Sequence, residues 1–236
     1  MPAPIGPALG VLLAYLLGSL PWALWVGQLV RGIDVREHGS RNLGATNVYR
    51  LLGPGLGLTV FALDMAKGAA AVLAARGLGG AAFPGGAEGA GLAGAVAAVL
   101  GHVFPAFAGF RGGRGVATAA GAMLAVAPRA SGLALGVFAL TLALSRRVSV
   151  GSVSAALAFI VFLWLLAPGR HGAGASATAL VGSAVALLVV VRHVPNLRRL
   201  ARGEEPALHF RSDGLEGGSG PASQGPNGHG GGEPAP

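Results

Sequence analysis

The run ALGVLLAYLLGSLPWALWVGQLV, residues 8–30, carries no charged side chain. A helix crossing the hydrocarbon layer needs roughly 20 apolar residues, with about 17–25 usual, so this run is long enough to span. No Lys or Arg precedes Arg31, and the run therefore lacks the basic start of a cleaved signal peptide. Pro21 predicts a kink, with Ser19 placed to satisfy the backbone groups it frees. Comparable runs follow at 56–75, 89–108, 115–128, 130–145, 148–168 and 173–191. The fourth is short, and the second is interrupted by Asp64 and Lys67. The pattern predicts an all-α, polytopic integral membrane bundle of seven transmembrane helices.

Composition agrees. Apolar types make up 53% of the 236 residues and charged types 11%, against about 25% charged in a soluble domain. Mean hydropathy is +0.64. The absence of cysteine excludes disulfides, thiolate catalysis, zinc–thiolate sites and iron–sulfur ligation. The 42 glycines have no G-X-Y period, which excludes collagen and suits closely packed membrane helices. Net charge is +8, and only one of the 17 basic residues, Lys67, is not arginine. With 6% aromatics and its bases in short loops between apolar runs, the chain favours topology signals and phosphate binding over nucleic acid.

The arginines also predict orientation. With the N-terminus outside, the inside segments hold Arg31, Arg36, Arg41, Arg50, Arg111, Arg114, Arg146, Arg147, Arg192, Arg198, Arg199, Arg202 and Arg211. The outside loops hold Arg76, Arg129 and Arg170. That asymmetry predicts N-terminus out and C-terminus in. A membrane-embedded domain is expected over 1–205. Residues 206–236, rich in Gly and Pro, are too poor in apolar types to fold and read as a disordered cytoplasmic tail.

Three loops on the inside face mix Arg with Gly, amides and hydroxyls: RGIDVREHGSRNLGATNVYR (31–50), GHVFPAFAGFRGGRGVAT (101–118) and RHVPNLRRLARGEE (192–205). Glycine lets backbone N–H groups form an anion nest, a helix start adds partial positive charge, and Arg forks phosphate oxygens. Asp64 and Lys67, at i, i+3 inside a span, either pair structurally or serve a site. His102 and His193 flank the second and third loops. No His-x-x-x-x-Asp pair, G-x-S-x-G elbow, Walker A loop or metal-binding His-Glu-x-x-His occurs. The expectation is therefore no metal and no cofactor.

At these loops the chain resembles the bacterial acyl-phosphate:glycerol-3-phosphate acyltransferase family. The resemblance covers about 8–205 and rests on SLPWALWVGQLVRGIDVREHGSRNLGATNVYR, GHVFPAFAGFRGGRGVAT and NLRRLARGEE in order, with DMAKG between the first two. The family's second motif has lysines where this chain has Arg111 and Arg114. The resemblance implies transfer of an acyl group from membrane-borne acyl phosphate to glycerol 3-phosphate, the first step of phospholipid synthesis. The products are lysophosphatidic acid and phosphate. An activated donor requires neither an enzyme nucleophile nor a cofactor. Carried over to this chain, the resemblance implies Ser40, Arg50, Arg111, Asn196 and His193 as catalytic residues. It implies Asn42, Thr46, Asn47, Lys67, Arg114, Ser149, Ser152, Arg199 and Glu205 as substrate-binding ones. The expected location is the bacterial inner membrane, with the site facing the cytoplasm. The rival expectation is a transporter for a phosphorylated metabolite, which would usually show inverted repeats and broken midplane helices.

Overall fold

A computed structural model describes residues 5–166 and 173–208. Among these residues the chain is all helical: α1 (Ile5–Gly18), α2 (Trp22–Arg31), α3 (Ala45–Leu52), α4 (Pro54–Gly79), α5 (Gly86–Val103), α6 (Val116–Val126), α7 (Pro128–Ser145), α8 (Val148–Leu165), α9 (Ala173–Arg192) and α10 (Val194–Ala201). A 3-10 turn at Ala106–Ala108 follows α5.

Each apolar run is helical, but not every run is a full span. Five helices are long and apolar enough to cross a membrane, counting α1 with α2 as one; a sixth is reached if α9 and α10, bent by 47°, count as one span. The expected fourth span, α6, has 11 residues, which is about 16 Å at 1.5 Å per residue. That is far short of the roughly 30 Å hydrocarbon core. Among the described residues five or six helices are long enough to cross, fewer than the seven expected. Residues 115–128 are apolar enough to span, but α6 starts only at Val116, because Gly115 takes a left-handed conformation, φ 82°, at its start.

Pro21 breaks the first span as its missing N–H requires. Ser19 Oγ donates to the Tyr15 carbonyl at 2.9 Å, and the freed Leu20 carbonyl accepts from Lys67 Nζ at 2.7 Å. Lys67 also pairs with Asp64 Oδ1 at 2.8 Å. Lys67 thus seals the break between α1 and α2, which gives an intramembrane cation a structural partner on each side.

Small residues set the packing. A side-chain carbon at Gly68 would strike the Thr118 backbone, and one at Gly121 would strike that of Met65, so α4 and α6 meet backbone to backbone. Gly18 against Ala98, and Gly101 against Tyr15, do the same for α1 and α5. Large apolar side chains such as Leu73, Leu140, Leu144 and Val191 point outward, as expected where the surroundings are lipid. Arg76, in the last turn of α4, donates to the Ala125 carbonyl at 3.1 Å. This contact ties the end of α6 to the end of α4 remote from the Gly–Arg loops.

Candidate active site

Three loops far apart in sequence meet at one end of the bundle. Arg36, forked onto Asp34, also reaches from the first loop to the Ala108 carbonyl in the second at 2.8 Å. Arg192, ending α9, donates to the Gly113 carbonyl at 2.9 Å. Gly113 sits so close to the Leu43 carbonyl and the His102 ring, and Gly112 so close to the His102 and Val103 carbonyls, that a Cβ at either would collide. The RGGR stretch is thus pressed into the bundle against the end of α5, and Gly113 N–H donates back to the His102 carbonyl at 3.2 Å.

Between these loops opens a cavity of about 200 Å³. Asn42 and Thr46 line it from the first loop, Arg114 from the second, and Ser152 and His193 from α8 and the end of α9. Asp64 and His102 also face it, as do Tyr49 and Leu208. A second, apolar chamber of about 80 Å³ lies between α6, α7, α8 and α9. Phe61, Val116, Phe138 and Ser152 line both, so the two spaces adjoin.

The charges at the cavity are unbalanced. Burial is the main cause pulling Arg114 down to about 10; nearby Glu205 opposes it, while Arg199, Arg50 and Arg192 add to it. Four arginines thus face one carboxylate, an excess of three positive charges. Burial likewise lowers Arg50, with Glu205 opposing and Arg199 adding. The buried Nε of Arg50 and Oδ1 of Asn196 have no hydrogen-bond partner among the described residues. A buried donor left unpaired costs about 1–3 kcal/mol, so this arrangement favours an anionic ligand.

His193 is 1% exposed and its Nδ1 lies 2.7 Å from the Val189 carbonyl. A carbonyl accepts, so Nδ1 carries the proton and the lone pair of Nε2 is left for the cavity. Burial pushes His193 down to about 4; the Val189 carbonyl opposes this, and Arg114 reinforces it. The ring is neutral near pH 7. Glu205 is held by Asn196 Nδ2 at 2.7 Å and Arg199 Nε at 3.0 Å. Burial raises its pKa, but the hydrogen bonds outweigh that and hold it below the ordinary glutamate range.

The structure sorts the residues expected from the sequence. Asn42, Thr46, Arg114, Ser152 and His193 line the cavity, and Arg50, Asn196, Arg199 and Glu205 form the charged cluster beside it. Ser149 is buried in the first turn of α8. Asn47 is fully engaged elsewhere: Nδ2 donates to Val35 and His38 carbonyls, and Oδ1 accepts from Ser40 N–H at 2.9 Å. It shapes the loop carrying Ser40, which is itself exposed and outside the cavity lining. Arg111 is exposed and does not line the cavity, because residues 109–115 are not helical and a spacing of three does not put two side chains on one face. Lys67 lies behind Asp64, on the α1–α2 break. Arg192 was missed as a site residue; its only signal was adjacency to His193. Among the described residues no three His, Asp or Glu side chains converge on a metal position.

Residues 8–203 match the family model described as glycerol-3-phosphate acyltransferase. A glycerol-3-phosphate acyltransferase of Synechococcus elongatus is 42% identical over 205 residues, covering 85% of this chain and 93% of the relative. One of Chlorobaculum tepidum is 39% identical over 221 residues, covering 85% and 95%. The crystal structure of PlsY (YgiH), an integral membrane glycerol 3-phosphate acyltransferase, in its glycerol 3-phosphate form, superposes with TM-score 0.74. It is 33% identical, covering 86% of this chain and 96% of that one. Its lysophosphatidic acid form gives 0.73 at 32% identity.

Proposed function

The chain belongs to the glycerol-3-phosphate acyltransferase family, and from that premise we propose how its cavity carries out the transfer. It is an integral membrane acyltransferase that acylates glycerol 3-phosphate. The donor is an acyl phosphate. The observation that carries this reading is an arginine-rich cavity lying beside an apolar chamber, with Phe61, Val116, Phe138 and Ser152 lining both. Arg50, Arg114, Arg192 and Arg199 take the phosphates, and the chamber takes the acyl chain.

The glycerol hydroxyl attacks the acyl carbon, the bond from that carbon to the phosphate oxygen breaks, and the hydroxyl proton ends on the released phosphate. Burial weakens His193 as a base, which supports direct transfer of the proton to phosphate. Nε2 of His193 accepts the hydroxyl's hydrogen bond and aims the oxygen. Positioning and cationic stabilisation of the leaving group supply the acceleration.

We infer that the site faces the cytoplasm of a bacterial inner membrane, with the N-terminus outside. The non-helical segment 109–115 and α6 together make one traverse: α6 starts beside His102, with Thr118 Oγ1 3.1 Å from its Nδ1, and ends at the level of Arg76. The test is purified protein in detergent with labelled glycerol 3-phosphate. Acyl phosphate is expected to give labelled lysophosphatidic acid and equimolar phosphate, with acyl-CoA and acyl carrier protein inert. Robust turnover of acyl-CoA would overturn the donor assignment.

A further inference from the structure

Residues 205–208, after α10, run back to the α7–α8 turn and are tethered there by hydrogen bonds to their backbone. The Glu205 carbonyl accepts from Arg147 Nε at 3.3 Å, the Pro206 carbonyl accepts from Arg50 Nη2 at 3.1 Å, and Leu208 N–H donates to the Arg146 carbonyl at 2.7 Å. Arg146 presents that carbonyl from a left-handed conformation, φ 53°, which a non-glycine residue rarely adopts. The strap ends with Leu208, 6% exposed, in the cavity wall with Phe138, Leu142 and Val148. Phe138 also lines the apolar chamber, so the wall to which Leu208 and Phe138 both belong borders that chamber as well.

We propose that the strap 205–208 is a roof over the reacting acyl carbon, with Leu208 as the positioning residue that keeps water from it. The proposal rests on the acyl-phosphate reading above. An acyl phosphate is activated towards any oxygen nucleophile. If glycerol's hydroxyl attacks, the carbon–oxygen bond to phosphate breaks and the proton ends on phosphate. If water attacks, the same bond breaks, giving a carboxylate, phosphate and a proton, and the donor is wasted. The arginines can hold the phosphate of glycerol 3-phosphate, but their pull on the leaving group serves both nucleophiles alike and does not by itself keep water from the carbon. An apolar side chain in that wall does discriminate, by excluding the smaller nucleophile. Arg50 couples the two functions. Its Nη2 holds the strap, while its Nε has no partner among the described residues and is available to phosphate.

The test counts phosphate and lipid separately. Full-length protein in detergent receives acyl phosphate with and without glycerol 3-phosphate, against an enzyme-free blank. Wild type is expected to release about one phosphate per lysophosphatidic acid formed. Leu208→Ser is expected to raise phosphate release unmatched by lipid, on the order of tenfold. Leu208→Met, which restores apolar bulk, should recover most of the coupling. Pro206→Gly loosens the strap without altering the cavity wall and should shift the ratio the same way, by less. If Leu208→Ser and Pro206→Gly slow transfer while phosphate and lipid stay matched, the roof is refuted and Leu208 only supports the fold. Wild type that turns over no acyl phosphate at all removes the donor reading, and this proposal with it.

Discussion

Arg192 Nη2 holds the carbonyl of Gly113 at 2.9 Å, so the end of the last long helix fixes the loop that aims Arg114 into the cavity. The two cations of that loop therefore differ. Arg114 is largely buried among like charges, while Arg111 is exposed. Removing a desolvated, hydrogen-bonding charge costs roughly 2–5 kcal/mol, or about 30-fold and more in rate or affinity. Arg114→Ala should lower kcat/KM for glycerol 3-phosphate by at least that much. Arg111→Ala should lower it only a few-fold, and the exposed Arg129→Ala should leave it near wild type. Equal kinetics for the Arg114 and Arg129 variants would remove the phosphate role.

The pH profile tests the proton's destination. His193 is pushed down to about 4 by burial, with Arg114 adding to the effect and the Val189 carbonyl opposing it, so the ring is predominantly neutral around pH 7. The inflection in kcat/KM expected near pH 6 belongs to substrate phosphate. It should persist in His193→Gln, whose kcat falls because the hydroxyl is less well aimed. An inflection that vanishes in His193→Gln would assign the base to the enzyme.

Glu205 makes acid stability measurable. Its carboxyl is held below the ordinary range, so it binds fewer protons folded than unfolded. Its contribution is present above the ordinary glutamate value and is lost as pH falls through the lowered one. Thermal unfolding in detergent should show wild type losing stability over that acid window, with Glu205→Gln less sensitive. Parallel curves for the two proteins would contradict the assignment.

The Asp64–Lys67 pair should behave as a unit. Removing one partner of a buried pair costs about 3–5 kcal/mol because a charge is stranded. Lys67→Met should therefore be severely destabilised, and Asp64→Asn with Lys67→Met less so. Additive losses would show that the 2.8 Å contact carries little coupling.

Much of this was legible in the chain. The apolar runs 8–30 and 56–75 mark helices because lipid leaves no alternative for the backbone, and Pro21 with Ser19 marks the break between α1 and α2. The Gly–Arg loops marked by residue type the segments that the structure brings together around the cavity. Side-chain direction was not legible. Arg111 and Arg114 look alike until a non-helical loop turns one outward, and Asn47 looks like a ligand until its amide is found holding Val35, His38 and Ser40. Lys67 offered no sign that the Leu20 carbonyl would claim it. Leu208 was hidden by composition, since 206–236 reads as a tail while its first three residues pack; residues 209–236 lie outside the described structure.

The crowd of guanidiniums has an alkaline consequence. It brings Arg114 from an ordinary arginine value down to about 10, where the side chain still keeps its charge at any cellular pH. A lysine in the same surroundings would start from a lower ordinary value, about 10.4, and be pushed down from there by the same burial and like charge. The arginine thus extends the pH range over which this loop stays positive. An Arg114→Lys enzyme should match wild type in neutral buffer and lose ground steadily as the medium turns alkaline.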